Sequence, residues 1–93
     1  MIVARQFVVT GHVQGVYFRA STKQQAEAMG ISGYARNLDN GGVEVLAVGS
    51  AEAVERLGNW LWKGSLNAQV ADVAALAVAL EILNPVPTAF SIR

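Results

Sequence analysis

The chain contains no cysteine, and this absence removes two kinds of structure. Without thiols the protein forms no disulfide framework and no thiolate metal site. One histidine and a few scattered carboxylates remain as possible ligands, and this set does not favour a transition-metal site. We therefore expect neither a metal nor another cofactor.

Net charge is also missing, because seven lysines and arginines balance seven aspartates and glutamates. A balanced surface lacks the basic face that nucleic-acid binding usually requires, so no nucleic-acid partner is expected. The N-terminus lacks the basic, apolar and small-residue order of a signal peptide. The apolar run at residues 70–83 contains Asp72 and Glu81 and is too short to cross a bilayer. These absences predict a soluble cytoplasmic protein with no membrane partner.

Apolar residues are plentiful, at 53% of the 93 residues. The mean hydropathy of +0.34 also excludes a disordered chain. This length provides one hydrophobic core and is too small for two, so residues 1–93 are predicted to form one domain. A small, neutral, self-contained domain is most simply a monomer.

The spacing of apolar residues predicts six main elements. In chain order they are a strand at 5–10, a helix at 20–29, strands at 31–38 and 43–49, a helix from Ser50 to Gly64, and a strand at 70–83. Asn40-Gly41 predicts a hairpin between the second and third strands, because this pair supplies the positive φ angles of such turns. The alanine-rich segment 70–83 would also suit a helix, and residues 88–93 can add a short final strand.

This order of elements defines an α+β fold. A strand-helix-strand unit occurs twice in this order. Each unit forms a right-handed crossover, and the two crossovers place both helices on the same face of the sheet. The sequence therefore predicts a ferredoxin-like βαββαβ sandwich with a mainly antiparallel sheet.

The stretch GHVQGVYFR at residues 11–19 lies between the first strand and the first helix. Glycine lets successive N–H groups turn toward one point, and the first N–H groups of a helix have no partner within the helix. Arg19 adds a planar, permanently charged guanidinium that fits phosphate or carboxylate oxygens. The stretch predicts an anion site, although a tight turn with an exposed arginine would need the same residues.

Together with residues 33–49, this stretch resembles two motifs of the acylphosphatase family. The first motif, G-x-V-Q-G-V-x-[FY]-R, matches residues 11–19, and the second, G-[FYW]-x-[KR]-N-x(3)-G-x-V-x(5)-G, matches residues 33–49. The resemblance extends to Trp60-Leu61 and to residues 90–93, so it covers essentially the whole chain. The chain departs from the family at Ser65, where many relatives have proline, and in the alanine-rich fourth strand.

The resemblance implies a free-standing, metal-independent acylphosphatase, which hydrolyses small acyl phosphates to a carboxylate and inorganic phosphate. It implies that Arg19 and Asn37 are catalytic: Arg19 binds the phosphoryl group and Asn37 positions the attacking water. The chemistry agrees, because an acyl phosphate has a good leaving group and needs mainly charge neutralisation and an aligned water. The phosphate-binding residues would be Gln14, Gly15, Val16, Tyr17, Phe18 and Arg19.

Other interpretations of single residues stay open. Asn37 could instead stabilise the end of a strand, and His12 is expected to be a surface residue at a strand end. Arg36 should point to the opposite face of the sheet from Asn37 and be solvated, and Glu44 should face solvent on its strand. Of Trp60 and Trp62, one is expected to pack on the sheet and the other to be half exposed.

Two other classes of function compete with catalysis. A ferredoxin-like domain can bind RNA on its sheet, but that use requires aromatic residues on the middle strands and a basic face. It can also be a regulatory module that binds an anion or small ligand without chemistry, since one fold hosts many functions. Similar domains also occur at the front of large carbamoyl-transfer proteins, and we expect the chain not to be one of these. No residues predict a selective acyl pocket, so broad acceptance of acyl groups is expected.

Overall fold

The computed structural model describes all 93 residues and confirms the ferredoxin-like α+β fold. Five strands, two α-helices and one short 3-10 helix make up the domain. Their bounds are β1 (Ile2–His12), α1 (Phe18–Ala28), β2 (Ser32–Asn37), β3 (Val43–Ser50), α2 (Ala51–Leu61), β4 (Gln69–Val78), the 3-10 helix (Leu80–Ile82) and β5 (Phe90–Ile92).

The strands form one sheet in the order β4-β1-β3-β2-β5. The pairs of β1 with β3, β1 with β4 and β2 with β3 are antiparallel, and β5 lies parallel to β2. Near the end of β1, Val9 lies opposite Val43, the first residue of β3. The segment that follows β1 and the hairpin between β2 and β3 therefore lie at the same end of the sheet.

Both helices pack on one face of the sheet, and their sequences explain why they do so. In α1 the buried residues Phe18, Thr22 and Ala26 are four positions apart and form one stripe on the helix. The Ser50 Oγ accepts a hydrogen bond of 3.1 Å from the N–H of Ala53, as expected for the first residue before a helix. The apolar stripe of α2, with Leu57 and Leu61 fully buried, completes a core of sixteen residues between helices and sheet.

The opposite face of the sheet is partly covered by the segment that follows β4. There Leu80 and Leu83 pack against the buried residues Ala4, Leu46 and Val48. The strand predicted at residues 70–83 is therefore too long: β4 ends at Val78, and the chain turns across the sheet through the 3-10 helix.

The prediction that Glu44 faces solvent is wrong, since this residue is only 8% exposed. Its carboxylate accepts hydrogen bonds from Gln6 Nε2, from the Tyr34 hydroxyl at 3.0 Å and from Arg36 Nε at 3.1 Å. Arg36 also forms a salt bridge of 2.9 Å with it. The alternation of side chains along β3 correctly assigned Glu44 to the sheet face away from the helices. The side chains that contact Glu44 cover it there and exclude solvent. Burial first, and then the hydrogen bond and charge of Glu44, raise the pKa of the Tyr34 phenol above its ordinary 10.0.

Several smaller expectations can be compared with the structure. His12 is exposed and is the last residue of β1. Trp62 is 51% exposed, as expected for one of the two tryptophans. Trp60 is half-buried and packs against Phe18 of α1, with ring centroids 6.1 Å apart. Arg36 lies with Glu44 on the sheet face away from the helices, although it is paired rather than fully solvated. Neither helix has the length and apolar character needed to span a membrane.

Candidate active site

The loop of residues 13–17 joins β1 to α1 and forms one wall of a pocket. Gly15, with φ 73°, and Tyr17, with φ 60°, both adopt left-handed backbone conformations. Tyr17 is the residue that immediately precedes α1. Left-handed residues next to a helix start turn successive N–H groups into one concavity, which is a common way to bind an anion. We call residues 13–17 the anion loop.

The N–H groups of the anion loop make no hydrogen bonds within the protein. Of the main-chain hydrogen bonds outside the helices and strands, none has the N–H of Gln14, Gly15, Val16 or Tyr17 as its donor. The side-chain acceptors of the protein bind the N–H groups of other residues. Four consecutive donors thus have no partner within the protein.

Arg19 lies in the first turn of α1 and lines the same pocket. Its Nη1 donates a hydrogen bond of 2.7 Å to the main-chain oxygen of Arg93. The salt bridge of this structure joins Arg36 to Glu44, and no Asp or Glu side chain pairs with Arg19. The remaining guanidinium donors therefore stay available for an anion in the pocket.

Asn37 reaches the pocket from another element, the end of β2. Its Oδ1 is buried and accepts no hydrogen bond. A buried acceptor without a donor costs free energy, so a hydrogen-bond donor placed beside it would stabilise the site.

The pocket has a volume of about 200 Å³ and gathers most of the predicted site. Gly15, Tyr17, Phe18, Arg19 and Asn37 line it, whereas Gln14 and Val16 do not. Val13, Ala20 and Ile92 complete the lining. Val13 belongs to the first motif and Ile92 to the closing segment of the family resemblance, whereas Ala20 had no sequence signal. His12 does not line the pocket, and no three His, Asp or Glu side chains cluster anywhere in the chain.

The side chain of Gln14 has a function in the structure that sequence reasoning missed. Its Nε2 donates to the carbonyl oxygens of Leu38, at 2.8 Å, and Gly42, at 2.9 Å. These carbonyls belong to the hairpin between β2 and β3. Gln14 therefore connects the anion loop to the hairpin that carries Asn37, and it holds the two walls of the pocket together.

The fold and the site together define a small α+β domain in which unpartnered N–H groups, a guanidinium without an Asp or Glu partner and an amide lie at one pocket. The acylphosphatase family model matches residues 5–92. An acylphosphatase of Alkalilimnicola ehrlichii is 55% identical over 75 residues, which cover 81% of this chain and 84% of that relative. The chain therefore belongs to the acylphosphatase family.

Solved structures agree with this assignment. An acylphosphatase from Coxiella burnetii has a TM-score of 0.91 and 33% identity, and the match covers 99% of this chain and 93% of that one. An acylphosphatase from Bacillus subtilis has a TM-score of 0.90 and 31% identity, and the match covers 100% of this chain and 99% of that one. The predicted family, enzyme class and fold are confirmed at this level.

Proposed function

We propose that this protein hydrolyses acyl phosphates to a carboxylate and inorganic phosphate, with Arg19 and Asn37 as its catalytic residues. The anion loop and Arg19 hold the phosphoryl group, and Asn37 orients the water that attacks it. The observation that carries the proposal is that one pocket is lined by Gly15 and Tyr17, whose N–H groups have no partner, by an arginine without an Asp or Glu partner, and by Asn37, whose amide oxygen has no partner.

Binding of the phosphoryl group relies on donors that the fold has already oriented. The N–H groups of residues 14–17 and the N-terminus of α1 offer partial positive charge without reorganisation. Arg19 adds a full charge and a planar pair of donors. These groups stabilise charge that spreads over the phosphoryl oxygens in the transition state.

Chemistry then requires a water in line with the departing carboxylate. The Asn37 Oδ1 accepts a hydrogen bond from that water. This contact directs a lone pair of the water oxygen at phosphorus. The new P–O bond forms while the bond from phosphorus to the acyl oxygen breaks, and the carboxylate leaves with the electron pair. No carboxylate or imidazole lines the pocket, so the proton of the water passes to a phosphate oxygen or to solvent.

Hydrolysis of benzoyl phosphate tests the proposal. We expect rapid loss of the acyl phosphate with the wild-type protein and release of one phosphate per benzoate. A regulatory module that only binds anions would give no turnover above the uncatalysed rate. Activity that survives EDTA and dialysis would agree with a metal-independent reaction, whereas a loss restored by Mg²⁺ or Zn²⁺ would contradict it.

Three further expectations from the sequence remain predictions alongside this function. They are a monomeric state, a cytoplasmic location and the absence of a nucleic-acid partner. Sedimentation of the purified protein at several concentrations would test the first, because a monomer keeps the same mass throughout.

A further inference from the structure

The loop that follows α2 reaches back to the anion loop through one buried hydroxyl. Ser65 Oγ donates a hydrogen bond of 2.6 Å to the carbonyl oxygen of Val16. The two residues are 49 positions apart in the chain, and Ser65 is only 8% exposed. The proposed reaction gives this serine no role.

The geometry of the peptide unit links this contact to the pocket. The peptide bond between Val16 and Tyr17 is trans, because the one cis peptide bond of the chain lies between Asn84 and Pro85. In a trans peptide the carbonyl oxygen and the following N–H point in opposite directions. When Ser65 holds the Val16 carbonyl on one side, the N–H of Tyr17 must therefore point to the other side of the peptide.

The neighbouring residue supports the same arrangement. Gly64 has φ 69°, and a Cβ added there would lie 2.5 Å from Cε2 of Phe18. The backbone after α2 thus packs directly on the ring of the first residue of α1. Phe18 and Tyr17 both line the pocket, so this loop contacts the anion site from behind.

We infer that Ser65 is a positioning residue for phosphate binding, because it fixes the orientation of the Val16–Tyr17 peptide. This inference rests on the proposed function, in which the N–H of Tyr17 donates to the phosphoryl group. Without the hydroxyl, a buried carbonyl loses its partner and the peptide is free to rotate. Rotation would turn the Tyr17 N–H away from the bound phosphate.

A purely structural contact would affect only stability, so the test measures stability and phosphate binding separately. Inorganic phosphate is titrated into ¹⁵N-labelled protein while the amide signal of Tyr17 is followed, and urea unfolding gives the stability. The variants are Ser65→Ala, Ser65→Thr and Ser50→Ala. Ser50→Ala is the matched control, because it also removes a serine hydrogen bond, at the start of α2 and away from the pocket.

We expect Ser65→Ala to weaken phosphate binding by about 5-fold to 30-fold and to reduce the phosphate-induced shift of the Tyr17 amide. Ser65→Thr keeps the donor and should bind within about 3-fold of wild type. Ser50→Ala should lower the urea midpoint and leave phosphate binding unchanged. If Ser65→Ala fails to fold, Ser65→Cys replaces it, and its weaker donor should give an intermediate affinity.

The inference is overturned if Ser65→Ala, or Ser65→Cys in its place, binds phosphate as wild type does and differs only in stability. That result would leave the proposed function intact, provided that the wild-type protein turns over benzoyl phosphate. If phosphate fails to perturb the Tyr17 amide of the wild type, the inference and the proposed binding mode both fail.

Discussion

Two glycine-containing loops lie side by side at one end of the sheet, and they use their N–H groups in opposite ways. In the hairpin loop, the N–H of Leu38 donates to Gly42 and the N–H of Gly41 donates back to Leu38. The N–H of Gly42 donates to Asn40 Oδ1 at 3.0 Å. The anion loop, in contrast, leaves four successive N–H groups without a partner in the protein.

Glycine alone does not explain this difference. Gly41 in the hairpin and Gly15 in the anion loop both have left-handed φ angles, at 91° and 73°. The hairpin also contains an asparagine whose side chain accepts from its own backbone, as in many tight turns. Residues 14–17 include no Asn, Asp, Ser or Thr that could do the same. The two loops therefore differ in whether their left-handed turns are closed by acceptors of their own.

The largest expected effect follows the removal of the positive charge of Arg19, which lies in the first turn of α1 next to the anion loop. Arg19→Ala should reduce kcat/KM for benzoyl phosphate by about 10³-fold or more, because an arginine at a transferring phosphoryl group contributes on this scale. It should also weaken inhibition by inorganic phosphate. Arg19→Lys should restore little, since a point charge does not replace a planar pair of donors. Steady-state kinetics with phosphate as inhibitor provides the measurement.

Arg36→Ala is the matched control for Arg19. Arg36 lies on the opposite face of the sheet and pairs with Glu44, so its loss should change stability and leave kcat/KM unchanged. Wild-type phosphate inhibition in Arg19→Ala would remove Arg19 from the site.

The next largest effect is expected at Asn37, the last residue of β2, where a substitution should lower kcat with little change in phosphate binding. Asn37→Ala should lower kcat by about 10²-fold, while phosphate inhibits at a nearly unchanged concentration. Asn37 carries no charge and contributes little to holding the phosphate. Asn37→Asp should not restore activity, because a carboxylate repels the phosphoryl oxygens and lacks the NH₂ donor.

His12→Gln is the control for this assignment, since the exposed His12 does not line the pocket. We expect full activity in His12→Gln and a kcat of the wild type that varies little between about pH 5 and pH 8, unlike a reaction driven by histidine. An inactive His12→Gln beside an active Asn37→Ala would reverse the roles.

Most of the fold was predictable because its signals are local. The Asn-Gly turn, the stripe of α1 and the Ser50 start of α2 each depend on a few adjacent residues, and each is observed. The end of β4 and the burial of Glu44 were not predicted. Both depend on the segment and side chains that cover the second face of the sheet, and no local pattern records that contact.

The candidate site divides in the same way. The motif spacing predicted which residues of the anion loop and β2 would meet, and Gly15, Arg19 and Asn37 do share a pocket. It did not predict the two hydrogen bonds of the Gln14 side chain or the contact of Ser65 with Val16. These bonds join segments distant in sequence and depend on side-chain directions that only the folded chain sets.

Gln14 connects the two loops, so its removal should weaken the site without abolishing it. Gln14→Ala leaves the carbonyls of Leu38 and Gly42 without their donor and frees the anion loop from the hairpin. We expect KM to rise by about 10-fold, with a smaller change in kcat. Gln14→Glu should be at least as harmful, because its carboxylate lacks the donors and repels phosphate.

Asn40→Ala is the counterpart within the hairpin. It removes the bond that closes the hairpin on itself, so it should lower stability by about 1 kcal/mol and leave KM unchanged. Equal KM values for Gln14→Ala and Asn40→Ala would show that the link between the two loops does not affect substrate binding more than the bond within the hairpin does.

The smallest effect concerns stability alone and comes from the strands that support the hairpin. Tyr34 on β2 donates to Glu44 on β3, and its phenol has a raised pKa in the folded protein. A raised folded pKa means that its contribution to stability is fully present below the unfolded value of 10.0. That contribution is lost as the pH rises from there through the folded value. The free energy of unfolding should therefore fall above pH 10, and this fall should be shallower in Tyr34→Phe, which has no proton to lose.

At neutral pH, Tyr34→Phe should itself be less stable by about 1 kcal/mol, because the hydrogen bond to Glu44 is gone. Urea unfolding between pH 7 and 11, with Tyr17→Phe as the control at an 82% exposed ring, measures both slopes. The same alkaline slope in wild type and Tyr34→Phe would mean that Tyr34 does not link the hairpin strands to pH.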